Sequence, residues 1–403
     1  MTNRKLLFSI FLVVFIDLLG FSVILPLLPY FAQTFGADAF TTGLLVAIYA
    51  AAQLIGAPIL GRLSDRYGRR PILMVSILGN VFGFLMLALA QNLTLLFLSR
   101  LLSGITGGNI SVAQAYISDV TDEKNRAKGL GLIGAAFGLG FIIGPAAGGF
   151  LSQWGYSTPA FVAAGLTLFN LLLVALWLPE SLTPERKIQV AQAKQVPFTP
   201  AALLAALQRP GIGPLLHTRF FFGLAFAIFQ TTFSLFALYQ LRLDSQNTGY
   251  ILGYVGFLSV ITQGFVVGRL TAHFREDWLL LIGTIIMAVA LAGWALTTSV
   301  PVLLIVMIPL AVAGGILNTV ISSAISKAVP VIEVGGMLGL SAAIESLTRV
   351  IAPTVGSLLL ESIHPAAPGI LAALIMGWVA LFIWRKIYAT PTLRTAPSSI
   401  PKR

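Results

Sequence analysis

Long apolar runs broken by short polar links dominate this chain. A helix that crosses a membrane needs roughly 20 mainly apolar residues. Twelve stretches meet that length, over approximately 6–31, 42–61, 71–90, 94–118, 128–151, 158–178, 213–240, 248–269, 278–297, 300–326, 336–361 and 367–386. Called spans 1 to 12 in chain order, they predict an all-α membrane protein. The one long polar link separates two groups of six. It sets an N-terminal bundle at 1–178, a cytoplasmic linker at 179–212, and a C-terminal bundle with a short cytoplasmic tail at 213–403.

Composition narrows the class. Hydrophobic residues make up 57% of the 403 residues and charged residues 10%, and mean hydropathy is +0.92. Soluble domains carry about 25% charged residues, so disorder, nucleic-acid binding and a water-soluble enzyme are excluded. There is no Cys, and His217, His273 and His364 are scattered, so neither thiol chemistry nor a metal site is expected. The net charge of +11 resembles a nucleic-acid signal until its residues are placed. With the N-terminus in the cytoplasm, Arg242 alone falls outside and Arg100 and Arg349 fall within spans. All other Lys and Arg, Arg219 included, are assigned to cytoplasmic segments. The charge is then a topology device in contact with anionic lipid, and both termini are cytoplasmic. The basic start and apolar run at the N-terminus resemble a signal peptide, but the run is too long and contains Asp17, which makes it span 1.

The two groups of six echo one another at an offset of about 207 residues. Gly61-Arg62-Leu63 recurs as Gly268-Arg269-Leu270, Gly107-Gly108 as Gly314-Gly315, Ile117-Ser118 as Ile325-Ser326, and Pro145 with Gly148 as Pro353 with Gly356. Duplicated bundles are the architecture of alternating-access transporters, with substrate bound between repeats near the midplane.

Two glycine-containing motifs stand out. The link after span 2 holds Gly61, Asp65, Arg66, Gly68, Arg69 and Arg70, which predicts a tight turn whose carboxylate is held by Arg in one conformation and released in another. The second copy has Ala272 in place of Asp65, so only the first such latch is expected to be intact. In span 5, Gly131, Gly140, Gly144, Pro145, Gly148 and Gly149 predict close approach of a neighbouring helix and a bend at the proline.

Charges within spans need partners or water. Asp17 and Arg100 lie at similar depths, which predicts an ion pair, either structural or broken by protonation. At 100° per residue, Ser103, Gly104, Gly107, Ser111, Gln114 and Ser118 share a face with Arg100, while Asn109 is assigned to packing on the opposite side. Glu345 and Arg349, spaced i, i+4, form a second expected pair, flanked by Ser341 and Thr348. It is read as a substrate or proton site or as a self-neutralising pair. Gln53, Gln230, Gln263 and Asn318 are further cavity candidates, with interhelical hydrogen bonds as the competing reading.

The loop after span 2 resembles the signature loop of the major facilitator superfamily, and the glycine motif of span 5 resembles that of its twelve-helix drug:proton antiporters. Stretches FIDLLGFSVILPLLP, GRLSDRYGRRP, RLLSGITGG and FGLGFIIGPAAGGF look like bacterial tetracycline exporters, densely over the first half and thinly over the second. The resemblance implies the major facilitator fold and a latch between the halves. It ties Asp17 and Arg100 to proton coupling. Those exporters carry further acidic residues where this chain has Gly83 and Met287, which argues against a magnesium–tetracycline chelate as substrate. Proton-coupled export of a small organic molecule is the leading expectation, with symport or uniport on the same fold as the alternative. The protein is expected to be a monomer in the cell membrane, with no nucleic-acid partner, no catalytic or metal site and no cofactor, and the proton gradient as its drive.

Overall fold

The computed structural model describes residues 3–121, 123–182 and 200–388, so half of the expected linker, 183–199, and the C-terminal tail from 389 lie outside the described residues. Within the described residues the regular elements are helices, and twelve of them are long and apolar enough to cross a membrane. They are span 1 (Leu6–Ile24), span 2 (Ala39–Tyr67), span 3 (Arg69–Ala88), span 4 (Leu93–Val120), span 5 (Gly129–Trp154), span 6 (Ser157–Trp177), span 7 (Gly213–Tyr239), span 8 (Ser245–His273), span 9 (Glu276–Leu296), span 10 (Val300–Lys327), span 11 (Gly336–Ser362) and span 12 (Ala367–Ile387). An apolar solvent cannot satisfy backbone N–H and C=O groups, and a helix satisfies its own.

Two bounds differ from the sequence reading for physical reasons. The expected loop at 61–70 is helical through Tyr67, breaks at Gly68 alone, and resumes as helix at Arg69. Gly68 has φ +116°, a conformation that L side chains rarely adopt, so one residue makes the turn. Span 4 is two helices, Leu93–Ile105 and Asn109–Val120. At their junction the Gly107 amide bonds the Gly104 carbonyl and the Gly108 amide bonds the Thr106 carbonyl, instead of the regular i−4 partners.

Contacts group the chain into two compact units, which is a different division from the expected halves. One comprises 1–196, 230–260 and 349–367; the other comprises 197–229, 261–348 and 368–403. The division cuts through spans 7, 8 and 11, and in span 8 it falls beside a π-helical stretch, Thr262–Val266. The six-plus-six organisation stays an expectation.

The first unit is held by backbone approach at glycines. A Cβ on Gly144 would overlap Ser22, and one on Gly148 would overlap the Val23 carbonyl, so the four-residue glycine repeat of span 5 packs on span 1. Ser22 seals this seam by donating to the Gly140 carbonyl at 2.8 Å. The opposite side of span 5 meets span 8, whose Gly249, Gly253 and Gly256 lie against Pro145, Ala146 and Phe141. Pro145 has no N–H for the Phe141 carbonyl four residues back. Gly256 leaves room for its own backbone beside that freed oxygen. Gly43 lies against Ser357 and Pro353 in the same manner, and the Tyr30 hydroxyl lies 2.6 Å from the Thr248 hydroxyl.

These contacts separate the glycines of one motif by consequence. Gly148→Ala is expected to lower stability by about 1–3 kcal/mol through overpacking on span 1. Gly131→Ala, where nothing lies within 4 Å of the added carbon, is expected to be neutral or to stabilise by up to ~1 kcal/mol. Thermal unfolding of both variants in detergent checks the contrast.

Candidate functional site

The break in span 4 organises a polar cluster inside the first unit. Where the helix ends, Gln53 of span 2 donates from Nε2 to the Gly107 carbonyl at 2.9 Å, supplying the partner that the broken ladder lacks. Thr106 donates from its hydroxyl to its own chain at Leu102 (2.8 Å) and lies 3.2 Å from Asn80 Oδ1 of span 3. Ser76 donates to the Thr106 carbonyl. The helix restarts at Asn109, whose Nδ2 donates to Asp17 Oδ1 at 2.7 Å, and Asn80 Nδ2 approaches the same oxygen at 3.4 Å. A half-buried carboxylate is thus held by two amides from two spans.

This arrangement corrects two expectations. Asp17 makes no ion pair with Arg100, and Asn109 is its hydrogen-bond partner rather than a packing residue. The 100° progression that placed Asn109 away from Arg100 assumed an unbroken helix, and the break at 106–108 resets the phase. Arg100 is 3% exposed, and its Nε and Nη2 have no hydrogen-bond partner. Its guanidinium carbon lies 5.8 Å from the Tyr49 ring centroid and 5.9 Å from that of Phe84, which offers cation–π attraction in place of a counter-ion. Ser103 is buried against the open Cα of Gly83, and its hydroxyl also lacks a partner. Ser111 donates to the Gly108 carbonyl at 2.8 Å, while Gln114 and Gln230 are exposed.

Glu345, of the second expected pair, accepts from Nη2 of Arg219, and Arg219 Nη1 donates to Asn318 Oδ1 at 2.7 Å. All three residues belong to the second unit, whereas Arg349 is exposed and falls in the first. Arg219 was assigned to a cytoplasmic segment, yet it lies within span 7 and is 7% exposed. Its position inside the predicted 213–240 stretch was the available signal. Ser341 is buried on the same helix as Glu345.

The latch residues form a compact charge cluster where span 3 begins. Arg69 donates to Asp65 at 2.5 Å, to Asp119 at 3.0 Å and to the Ser64 hydroxyl at 2.7 Å. Glu180, which the sequence reading missed, accepts from the Arg69 and Arg70 amides at 2.9 and 3.1 Å and so caps the restarted helix. Arg70 also donates to the carbonyls of Val174 and Ala175. Arg66 is exposed over the Tyr67 ring, and Gly61 has open space around it. The second copy, with Ala272 in place of Asp65, holds an ion pair of its own nearby in the repeat. Lys327 and Glu276 lie 2.7 Å apart, and Ser323 donates to the same Glu276 oxygen at 2.7 Å. At the offset of the duplication, Arg69 corresponds to Glu276 and Asp119 to Lys327, so the charges are exchanged.

Comparison with known proteins gives this geometry its context. A family model described as Major Facilitator Superfamily matches residues 10–277 and 218–402. The chain is 31% identical to mouse Solute carrier family 22 member 18 over 369 residues, covering 89% of this chain and 90% of that protein. It is 35% identical to the Escherichia coli Tetracycline resistance protein, class B, over 273 residues, which is 67% of each. Among solved structures, the human organic anion transporter MFSD10 (TETRAN) aligns with TM-score 0.71 at 21% identity, covering 95% of this chain and all of that one. The nucleoside transporter NupG aligns with TM-score 0.76 at 15% identity. At those identities the structural likeness shows the fold alone.

The two fasteners are expected to differ in strength. Arg69 and Asp119 side chains are 6% and 9% exposed, whereas Lys327 and Glu276 are 68% and 25% exposed. Breaking a buried pair costs about 3–5 kcal/mol, and an exposed pair contributes about 0.2–1 kcal/mol. Double-mutant cycles on unfolding should therefore give the larger coupling at Arg69–Asp119. The double exchange Glu276→Lys with Lys327→Glu should recover the coupling between the two charges but not the full stability, because the exchanged charges oppose both helix dipoles.

Proposed function

Because the chain belongs to the Major Facilitator Superfamily, and is therefore a multi-pass membrane transporter of small solutes rather than an enzyme, we propose that it is a proton-coupled antiporter exporting a small organic molecule by alternating access. The observation that carries this reading is Asp17, the one carboxylate of span 1, held by amide donors from spans 3 and 4 instead of by a cation. An Arg partner fixes a carboxylate in its charged form. An amide side chain carries both a donor and an acceptor, so it can serve the charged form and, after rotation, the protonated one. Asp17 is therefore suited to gain and lose a proton without leaving a buried charge unpaired.

Its neighbours tie that proton to the shape of the helices. Asn109 opens the second segment of span 4, and Asn80 reaches the same span through Thr106. Protonation of Asp17 weakens two bonds, one from each side of the helix break, at a place where span 4 has no regular backbone ladder to hold it. Arg100 has its charge stabilised by rings and not by a carboxylate, which leaves Asp17 to its amide partners. The resemblance of the span 5 glycine motif to that of drug:proton antiporters, and the tetracycline resistance proteins among the relatives, support export over uptake. The drive would be the proton gradient, with both termini cytoplasmic and the basic ends of the spans against the cytoplasmic leaflet of the cell membrane.

Proteoliposomes with an entrapped pH indicator test the proposal. Addition of a transported compound is expected to move protons in the wild-type protein. Asp17→Asn is expected to abolish that movement while the protein still unfolds cooperatively near the wild-type temperature. Undiminished proton movement in Asp17→Asn would remove Asp17 from the coupling, and solute flux without any proton movement would make the protein a uniporter.

A further inference from the structure

Arg219, Asn318 and Glu345 form the second polar cluster within spans, and the proton-coupling reading makes no use of it. Arg219 stands six residues into span 7, Asn318 nine residues before the end of span 10, and Glu345 nine residues into span 11. All three positions therefore lie inside their spans, in the part nearer the basic links. A guanidinium offers five N–H donors in a fixed fork. Here Nη1 donates to Asn318, Nη2 donates to Glu345, and Nε has no hydrogen-bond partner. A buried donor left unsatisfied is costly, so this guanidinium gains from an acceptor that spans Nε and Nη2 together.

The members of the cluster differ in accessibility. The Arg219 side chain is 8% exposed, the Glu345 side chain is 32% exposed, and Asn318 is exposed. The cation is thus fixed in the protein, while its counter-ion lies where it can be replaced and resolvated. Spans 7 and 11 also approach closely one turn further along, where Gly223 lies against the Thr348 hydroxyl.

We propose that Arg219 is a receptor for an oxyanionic group, a carboxylate or phosphate, on the transported molecule, and that Glu345 is the internal anion holding the site when no such molecule is bound. The inference rests on the transport reading above and adds a substrate class to it. A planar carboxylate matches the Nε–Nη2 edge with two parallel hydrogen bonds, the strongest geometry available to an Arg. Asn318 stays on Nη1 and orients the fork. Substrate and Glu345 compete for Nη2, so the site releases its anion by returning Glu345 to the guanidinium. Export of an anion against an entering proton would move positive charge inward in both steps, so an inside-negative potential favours both.

The test is equilibrium binding to purified full-length protein in detergent, read by thermal stabilisation and by fluorescence. The probes are acetate, benzoate, 2-naphthoate and inorganic phosphate, with benzamide and 2-naphthamide as neutral counterparts. Glu345→Gln removes the competing anion and is expected to bind at least one of the anionic probes roughly tenfold more tightly than wild type. The amides should bind all variants alike. Arg219→Gln should lose the preference for anions, and Arg219→Lys, which keeps the charge but not the fork, should show most of the same loss should Arg219→Gln fail to fold. If no anion binds Glu345→Gln saturably and more tightly than its amide, or if the preference survives both Arg219 changes, the proposal is overturned. The proton assay separates the two readings. Asp17-dependent proton movement with neutral or cationic compounds alone would remove the anion site and leave antiport standing. Anion binding at Arg219 without coupled proton movement would do the opposite.

Discussion

Every backbone amide and carbonyl in an apolar surrounding must find its partner inside the protein. Unbroken helices meet this demand by themselves, so the instructive places are those where a helix stops within or beside a span. At Gly68 the chain turns in one residue and span 3 begins with exposed amides, which the Glu180 carboxylate accepts. At Gly107 the helix of span 4 ends, and Gln53 donates to the carbonyl left over. At Pro145 the Phe141 carbonyl loses its donor, and Gly256 lets another backbone lie beside it. Each break recruits a residue from elsewhere in the chain, Glu180 and Gln53 by hydrogen bonds and Gly256 by close approach of its backbone. The breaks are the joints of the molecule because they are the points where satisfaction is not local.

The two charge fasteners show how the same frame carries opposite energetics. Peptide dipoles favour an anion at a helix N-terminus and a cation at its C-terminus, by about 0.3–1 kcal/mol each at exposed sites. Glu276 opens span 9 and Lys327 closes span 10, so that pair agrees with both dipoles. Arg69 opens span 3 and Asp119 lies in the last turn of span 4, so the first pair opposes both. Glu180 compensates by placing its carboxylate on the helix start that Arg69 disfavours. One fastener thus agrees with its helix dipoles, and the other offsets them with three acceptors, Asp65, Asp119 and Glu180.

Helix number and class were legible in the sequence because a span is written in its own residues, as a run of apolar side chains of sufficient length. The latch and antiporter-like motifs were legible as motifs for the same reason. What the glycines of span 5 touch was not, since Gly131 and Gly148 look equivalent in a pattern and differ entirely in their surroundings. The partners of Asp17 were obscured by a helix break, because a periodicity carried through Gly107-Gly108 puts Asn109 on the wrong side. Arg219 was misplaced by a rule about where basic residues reside, although its own distance from the start of span 7 spoke against it. The second fastener was missed because the search looked for the same charges at the repeat position, while physics requires only that the charges be opposite.

The duplication also shows which features of the frame were free to diverge. At the repeat offset Asp17 corresponds to Leu224, Arg100 to Met307 and Arg219 to Leu12, so neither polar cluster has a counterpart in the other copy. The fastener positions kept a charge pair in both. Ends of helices at a membrane surface meet water whatever is transported, which keeps polar residues affordable there in every copy. A charged residue in the middle of a span is costly and persists only where a specific task requires it. The carboxylate between amides in one unit and the guanidinium with a replaceable counter-ion in the other therefore mark two separate tasks, the first fitted to a proton and the second to an anion.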